Sequence, residues 1–278
     1  MKKLFTLLAL TISFSMNAQL TAVTEGGNTG QRLSTSNASN HGDIGFNAVD
    51  LSYSGSSSST RGATGYASTA IGSGTTASGS VSTAIGSATT ASGFTSTAMG
   101  FYTTASGSVS TAIGSGTTAS GEASTAIGSG TAASGSVSTA MGVFSTASDY
   151  GSLVIGQYNS SGSSVTDNAT SFSTANTAFV IGNGADSSNK SDAFKVLFNG
   201  DATVSNDLTV SGDVVISSDA RLKSNIVSLG STLPKLLQID GKSYEMKGKQ
   251  KIGVLAQEIQ EVFPELVSED DNEMLAVN

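Results

Sequence analysis

The chain has 278 residues, no Cys, no Trp and a formal net charge of -8. A negative net charge disfavours nucleic acid and anionic membrane surfaces as partners, because both bind through clustered Lys and Arg. Without cysteine there is no disulfide framework and no thiolate metal site, and the single histidine, His41, cannot form a histidine metal site alone. We therefore expect no cofactor, and we expect His41 to be a surface residue.

The N-terminus has the pattern of an export signal. Two lysines precede an apolar run from Leu4 to Phe14, and a short polar stretch ends at Ala18. This order is typical of a secretory signal, and the apolar run is too short to span a membrane. We predict a signal peptide over residues 1–18, a secreted or cell-surface protein, and no transmembrane anchor in the mature chain.

The central part of the chain is a 14-residue repeat. Its unit reads S-T-A-[IM]-G-x-x-x-x-A-S-G-x-x, as between Ser82 and Thr95. A fixed short period predicts a solenoid in which each unit stacks on its copies. We place this roll at residues 43–190, behind a polar segment, 19–42, that is either poorly ordered or a cap. The Ile/Met ladder, by which we mean the residues before the first glycine of each unit, consists of Ile71, Ile85, Met99, Ile113, Ile127, Met141 and Ile155.

Two alanine columns accompany this ladder. They begin at Ala70 and Ala77, and each recurs every 14 residues. Because the columns are half a repeat apart, we expect two short strands and two tight turns in each coil. With stacked strands about 4.8 Å apart, seven coils would form a rod about 30 to 35 Å tall.

Ala70 and Ile71 are neighbours in one predicted strand and therefore point to opposite faces. We expect the alanine columns to fill a flat interior and the Ile/Met ladder to point outward. An outward apolar ladder on a secreted protein needs a cover, which identical subunits around an axis would supply. The alternative packing has Ile inside and Ala outside. It needs a wider roll and does not require an oligomer.

The unit resembles the head repeat of trimeric autotransporter adhesins of the YadA type. The resemblance extends over about residues 44–182, with outlying copies at Asp43-Ile44-Gly45-Phe46 and Val180-Ile181-Gly182-Asn183. It implies a left-handed parallel β-roll, a homotrimer with the Ile/Met ladder at its interface, and attachment to host matrix, cells or other surfaces. Such adhesins end in a membrane anchor, whereas this chain continues into a different module.

The segment that follows, residues 191–217, is predicted to be a β-rich neck. Short alternating apolar runs are broken by turn signals at Asn199-Gly200 and Gly212-Asp213. Phe194, Val196 and Phe198 would share one face of a strand.

The last part of the chain, 218–278, differs in composition, with seven basic and ten acidic residues. Leu255, Ile259 and Phe263 recur at helical spacing, and Pro264 would end the helix. These features predict a small α+β module.

Within this module, SDARLK at Ser218, IGVLAQE at Ile252 and FPELV at Phe263 closely resemble the intramolecular chaperone domain of endosialidase tailspikes, the peptidase S74 family. The resemblance implies that the module promotes trimerisation of the fibre before it and then cuts itself off. Family members continue further, into a helical trimeric bundle, so we expect a C-terminally incomplete domain.

The resemblance also implies roles for four residues of this motif. Ser218 would be the nucleophile and Lys223 its lysine partner, with Asp219 and Arg221 in supporting positions. Cleavage would fall between Ser217 and Ser218, as a single turnover with no activity in trans. The alternative is an ordinary Ser-Asp helix cap followed by solvated Arg221 and Lys223.

Together these features predict an all-β homotrimeric roll with a small α+β C-terminal module. The predicted function is that of a secreted fibrous adhesin or surface-binding protein, whose partners are its own copies and a host or environmental surface, glycan or matrix ligand. Two alternatives are a phage-type tail fibre that binds glycans, which the export signal disfavours, and an ice-binding β-solenoid. The second needs a regular Thr array, which Ala132 interrupts.

Overall fold

A computed structural model describes residues 20–211, 213, 219–246, 248–269 and 274–277 of the chain. These residues fall into two compact units, the first ending at Thr209 and the second beginning at Val210. The first unit is a β-solenoid of about nine turns, and the second is a small α+β region. The predicted signal peptide, 1–18, lies outside the described residues.

Each coil of the repeat contains one strand of five residues and one of two residues, as the half-repeat spacing predicts. The first unit consists of β1 (Leu20–Glu25), β2 (Asn28–Leu33), β3 (Val49–Tyr53), β4 (Gly62–Ala63), β5 (Thr69–Ser73), β6 (Thr76–Ala77), β7 (Thr83–Ser87), β8 (Thr90–Ala91), β9 (Thr97–Phe101), β10 (Thr104–Ala105), β11 (Thr111–Ser115), β12 (Thr118–Ala119), β13 (Thr125–Ser129), β14 (Ala132–Ala133), β15 (Thr139–Val143), β16 (Thr146–Ala147), β17 (Leu153–Gln157), β18 (Thr177–Asn183), β19 (Asp192–Leu197) and β20 (Ala202–Val204).

The strands form two sheets that face each other across a thin interior. The long-strand sheet has 13 strands, in the order β1-β2-β3-β5-β7-β9-β11-β13-β15-β17-β18-β19-β20. The short-strand sheet has seven, running from β4 to β16. Between β5 and β17 every pair is parallel and in register at 14 residues, so identical columns stack from coil to coil.

Of the two packings open from the sequence, the structure has the one with alanine inside. Both alanine columns are completely buried. Val154 and Val180 continue the first column into the last coils, where they are also fully buried. An interior lined by methyl groups keeps the two sheets close together.

Glycine allows this close approach at the turn after the short strand. A Cβ added to Gly107 would lie 2.0 Å from the carbonyl oxygen of Gly121, one coil away. The same contact recurs along Gly65, Gly79, Gly93, Gly107 and Gly121, at 1.9 to 2.1 Å. A side chain here would push neighbouring coils apart.

A third interior column was missed by the sequence analysis. The first threonine of each Thr-Thr pair, and Thr131 before Ala132, point inward and are buried, although both threonines of a pair are equally polar. The column consists of Thr75, Thr89, Thr103, Thr117 and Thr131. Their hydroxyls have no hydrogen-bond partner within the described residues.

The N-terminal end of the roll is closed by an ordered cap, which is the second of the two alternatives for segment 19–42. β1 and β2 form an antiparallel hairpin, and β2 adds to the edge of β3 in parallel. Inside this cap, Asp50 takes the position of Ala70 one coil earlier and is fully buried. The expectation that His41 is a surface residue was wrong, because it is 6% exposed and its Nδ1 lies 3.2 Å from Asp50 Oδ2.

One of the two outlying repeat copies was also assigned wrongly. Ile44 is fully buried in the cap, and Leu51 is the residue that aligns with Ile71 in the long-strand sheet. The copy at the other end is confirmed, since Ile181 aligns with Ile155.

At the other end of the short-strand sheet, an asparagine side chain replaces the next strand. Asn159 Oδ1 accepts a hydrogen bond from Thr146 N at 2.8 Å, and its Nδ2 donates to Thr146 O at 2.8 Å. Nδ2 also donates to Ser161 O at 2.8 Å. The amide thus satisfies the backbone groups that β16 would otherwise present at an open edge.

Part of the predicted neck extends the long-strand sheet. β19 and β20 form antiparallel pairs on either side of the predicted turn at Asn199-Gly200. The Phe194 ring contacts Phe179 of β18, with centroids 6.1 Å apart. The second predicted turn, at Gly212-Asp213, lies partly outside the described residues.

The second unit contains the predicted amphipathic helix. The elements are α1 (Leu233–Leu236), β21 (Lys242–Met246), β22 (Lys249–Gly253), α2 (Ala256–Val262), β23 (Val267–Glu269) and β24 (Leu275–Val277). Ile259 and Phe263 are buried, and Pro264 begins a 3₁₀ turn where α2 ends, as the sequence predicts. Among the described helices, none combines the length and apolarity that a membrane crossing requires.

Candidate functional site

The Ile/Met ladder lies on the outer face of the long-strand sheet. In β5, Ala70 is fully buried, while the side chain of the next residue, Ile71, points away from the interior. The isoleucines of the ladder are half-buried by their own neighbours, and Met99 and Met141 are 38% and 40% exposed. The structure thus brings all seven predicted interface residues into one straight column, which Leu51 and Ile181 extend.

The columns beside the ladder are small or uncharged. Threonine precedes it by two positions from Thr69 to Thr139, and serine follows it in most coils. Three coils depart from this rule, with Phe101, Val143 and Gln157 in the serine column. Phe101 and Val143 are 51% and 40% exposed. The whole face is therefore apolar or weakly polar, and a second copy could approach it without burying a charge.

Two aromatic pairs mark the turn next to the ladder, and the sequence analysis did not single them out. Phe101 and Tyr102 meet edge to face at 4.4 Å, and Phe144 and Tyr158 stack at 5.1 Å. Tyr102, Phe144 and Tyr158 have φ of 52°, 49° and 42°, at the position where the other coils have glycine or, once, Ala88. The signal in the sequence is the replacement of Ser-Gly by Phe-Tyr and Val-Phe at these repeat positions.

The second candidate site is the SDARLK motif. Ser217 and Ser218 lie outside the described residues. Asp219 caps the following 3₁₀ turn by accepting from Arg221 N at 2.8 Å, and its carboxylate pairs with Arg221 Nη2 at 2.7 Å. The Arg221 guanidinium holds the pKa of Asp219 below its ordinary value.

Lys223 ends this turn, and its backbone N–H donates to Ala220 O at 3.1 Å. The residue is exposed in the single chain. A lysine becomes a general base at neutral pH when burial lowers its pKa. In the single subunit Asp219 pairs with Arg221 in this turn, and Lys223 follows them in an exposed position, so the lysine is not buried.

The second unit has much apolar surface outside its small core. Phe263 and Ile259 are buried, yet Leu229, Leu237 and Ile252 are 76%, 78% and 86% exposed. An apolar cavity of about 370 Å³ lies beside the buried helix face, lined in part by Leu236, Phe263 and Leu266. An exposed apolar surface of this extent is typical of a protein that associates with other chains.

Two family models match the chain. Residues 63–89, 91–117, 106–131 and 133–159 match the YadA head domain repeat (2 copies). Residues 218–268 match the chaperone of endosialidase, Peptidase_S74. No curated protein matches the chain.

These findings agree with the two resemblances drawn from the residues, in the same order along the chain. The combination fits a trimeric adhesin or a tail-fibre-like protein, and adhesin families of this type suggest self-association. YadA-like adhesin domains are typically surface-exposed. Within the described part of the chain, no group of three or more His, Asp or Glu residues could hold a metal ion.

Proposed function

We propose that the chain is a secreted, trimeric, fibrous surface-binding protein whose C-terminal unit assembles it. The observation that carries the proposal is the Ile/Met ladder, an uninterrupted apolar column on the outer face of the long-strand sheet. Burying it against the same column of other subunits around an axis removes apolar surface from water, at about 25 cal/mol per Å². From Ala67 to Ser148 the single Asp, Glu, Lys or Arg is Glu122, which lies in the turn between β12 and β13. The long strands of these residues therefore bring no charged side chain to the contact.

The oligomeric state of the purified chain tests this proposal. Light scattering or native mass spectrometry should give a trimer. Ile113→Asp places three carboxylates near the axis and should yield monomers, because a buried unpaired charge costs several kcal/mol, on the order of 3 or more. Thr118→Asp is the matched control, since it introduces the same charge on the exposed short-strand face of the same coil. A wild-type monomer, or an Ile113→Asp trimer, would refute the interface.

The C-terminal unit has two proposed roles, bringing three chains into register and then releasing itself. In the proposed cleavage, the amine of Lys223 takes the proton of the Ser218 hydroxyl, whose oxygen attacks the carbonyl carbon of Ser217. The nitrogen of Ser218 accepts that proton from Lys223 and leaves as the new amino terminus, and water then hydrolyses the ester between the Ser217 carbonyl and the Ser218 oxygen. The exposure of Lys223 in one subunit supports a step that depends on assembly, since neighbouring subunits would bury the amine.

The mass of each subunit tests the cleavage separately from assembly. Wild-type trimers should contain a fragment that begins at Ser218, whereas Ser218→Ala and Lys223→Met should remain uncut trimers. Lys249→Met, an exposed lysine of β22, is the control and should be cut normally. Cleavage in the Ser218→Ala chain, or an uncut wild-type trimer, would contradict the proposed step and leave the interface intact.

A further inference from the structure

A polar cavity of about 810 Å³ lies at the N-terminal end of the solenoid. Its lining includes His41, Asp43, Ser57, Ser59 and Thr64. Its size falls within the range of about 300 to 1,000 Å³ that is usual for ligand sites in proteins. Its chemistry differs from that of most such sites, because the lining contains no aliphatic or aromatic side chain besides the imidazole.

Hydrogen bonds hold the walls of this cavity in place. Asn40 Nδ2 donates to Ser54 O at 2.6 Å, and Ser58 N donates to Ser39 O at 3.2 Å. These bonds tie the serine-rich loop, residues 54–60, to the 3₁₀ turn Ala38–Asn40. Arg61 Nη1 donates to Ser54 Oγ at 2.8 Å from below the same loop. The loop is thus fixed before any ligand arrives, which reduces the ordering cost of binding.

Buried charged residues next to the cavity hold His41, one of its lining residues, in place. Asp50 is fully buried and lies 3.1 Å from Arg32 Nε and 3.2 Å from His41 Nδ1. Arg32 also pairs with Glu25 at 2.8 Å and donates to Gly42 O at 2.9 Å. The contact between Nδ1 of His41 and Asp50 thus fixes the orientation of the imidazole in the cavity lining.

Several polar groups of the lining remain available to a ligand. Within the described residues, no hydrogen bond engages the hydroxyls of Ser57, Ser59 or Thr64. The carboxylate of Asp43 is exposed and gives the lining a negative charge, which disfavours phosphate, sialate and uronate groups. A cavity of hydroxyls with one carboxylate suits a ligand with several neutral hydroxyls, each able to donate and accept.

We propose that this cavity binds a neutral saccharide, through hydrogen bonds from the sugar hydroxyls to Asp43 and to the hydroxyls of Ser57, Ser59 and Thr64. The inference deepens the proposed surface-binding function and rests on it. A protein ligand would need an apolar centre with aromatic anchors at the contact, which this lining does not offer.

A glycan array that carries neutral hexoses, N-acetylhexosamines, sialylated glycans and uronates tests the proposal on the full chain. The chain should bind neutral glycans and not the acidic ones, and titration calorimetry with the strongest neutral binder gives the Kd. Ser57→Ala/Ser59→Ala should raise that Kd at least tenfold. Ser92→Ala/Ser106→Ala, two exposed serines of the short-strand face, should leave it unchanged. Asp43→Asn provides a second test at another lining residue and should weaken binding as strongly.

Three results would overturn the cavity as the site. They are no binding to any neutral glycan, preference for the acidic glycans, and equal Kd values for the Ser57→Ala/Ser59→Ala variant and its control. Light scattering and adhesion to surfaces are measured on the same variants. They show whether only the saccharide cavity is refuted or the proposed trimeric surface-binding function as well. A trimer that adheres equally well with and without the two serines would keep the surface-binding function and remove the saccharide cavity.

Discussion

At the scale of single residues, the burial of the threonine column depends most on the geometry of the roll. Thr103 is fully buried, and its hydroxyl has no hydrogen-bond partner within the described residues. Its neighbour Thr104 points outward from the same short strand. A buried hydroxyl without a partner costs about 1 to 3 kcal/mol, so the column reduces the stability that the coil stacking provides.

Replacing Thr103 by Val should therefore stabilise the fold. Valine keeps the β-branched shape and removes the hydroxyl, and we expect the free energy of unfolding to rise by about 1 kcal/mol. Urea unfolding followed by circular dichroism measures the change. Thr104→Val is the control and should change stability little. A loss of stability on Thr103→Val would show that the hydroxyl forms a hydrogen bond that stabilises the native roll.

His41 should make the stability of the cap depend on pH. Burial lowers its pKa from the ordinary value of 6.5, and Arg32 adds to that effect, while Asp50 and Glu25 oppose it. The unfolded chain therefore binds a proton more readily than the folded chain, so the free energy of unfolding falls as pH drops below about 6.5. Urea midpoints between about pH 5.5 and 7.5 should show this slope. His41→Gln should flatten it, and an unchanged slope in that variant would assign it to other groups.

At the scale of the coil, glycine sets the distance between the backbones of adjacent coils. Gly107→Ala places a Cβ 2.0 Å from the Gly121 oxygen, and both atoms belong to stacked backbone. We expect a loss of about 3 kcal/mol or more in the free energy of unfolding. Gly116→Ala is the matched control, because its nearest neighbour atoms are 4.0 Å away and Ala88 already occupies the equivalent turn position. It should cost about 1 kcal/mol or less, for its positive φ. Equal thermal midpoints for the two variants would contradict this explanation.

A substitution at Asn159, which caps the short-strand sheet, should lower the free energy of unfolding about as much as a substitution at the glycine contacts between coils. Asn159→Asp keeps the acceptor for Thr146 N but cannot donate to Thr146 O or Ser161 O, and it buries a charge. We expect a loss of about 3 kcal/mol at pH 7 relative to the wild type. The deficit should shrink at about pH 4, where a protonated carboxyl regains one donor. A deficit that does not change with pH would show that shape, and not the missing donor, is responsible.

The sequence predicts the regular elements of this protein well because each position of the repeat recurs in several coils, so that its preferred residue type is evident. Two alanine columns half a repeat apart sufficed to predict two strands per coil. Adjacent Ala70 and Ile71 favoured alanine as the interior column but left the opposite packing open, and the burial of the alanines in the structure decides between them. The ends of the roll could not be predicted in the same way. The residues that close it are Asp50, His41 and Asn159. They act through contacts between residues far apart in sequence, and they do not belong to a repeating pattern from which they could be predicted.

The same limit applies to the candidate sites. The Ile/Met ladder follows from spacing alone, whereas the cavity at the N-terminal end requires the serine-rich loop to fold back over His41 and Asp43. A run of serines in an isolated sequence resembles a flexible linker. Its ordered conformation depends on Asn40 and Arg61, whose partners are visible only in three dimensions.

For the whole molecule, interchangeable coils imply that the solenoid tolerates the loss of one complete unit. Deleting residues 107–120 joins Ser106 to Gly121 and restores every column, since Ser120 precedes Gly121 in the intact chain. We expect this variant to fold, to unfold cooperatively and to keep the oligomeric state of the wild type, with stability reduced by about one nearest-neighbour interface. Deleting 107–113 removes half a coil and places each later five-residue strand on the short-strand side. That variant should lose its cooperative transition, because it interrupts both the alanine columns and the Ile/Met ladder. Circular dichroism measures the unfolding transition of the two deletion variants, and light scattering measures their oligomeric state. If both variants unfold and assemble alike, the 14-residue register does not stabilise the molecule.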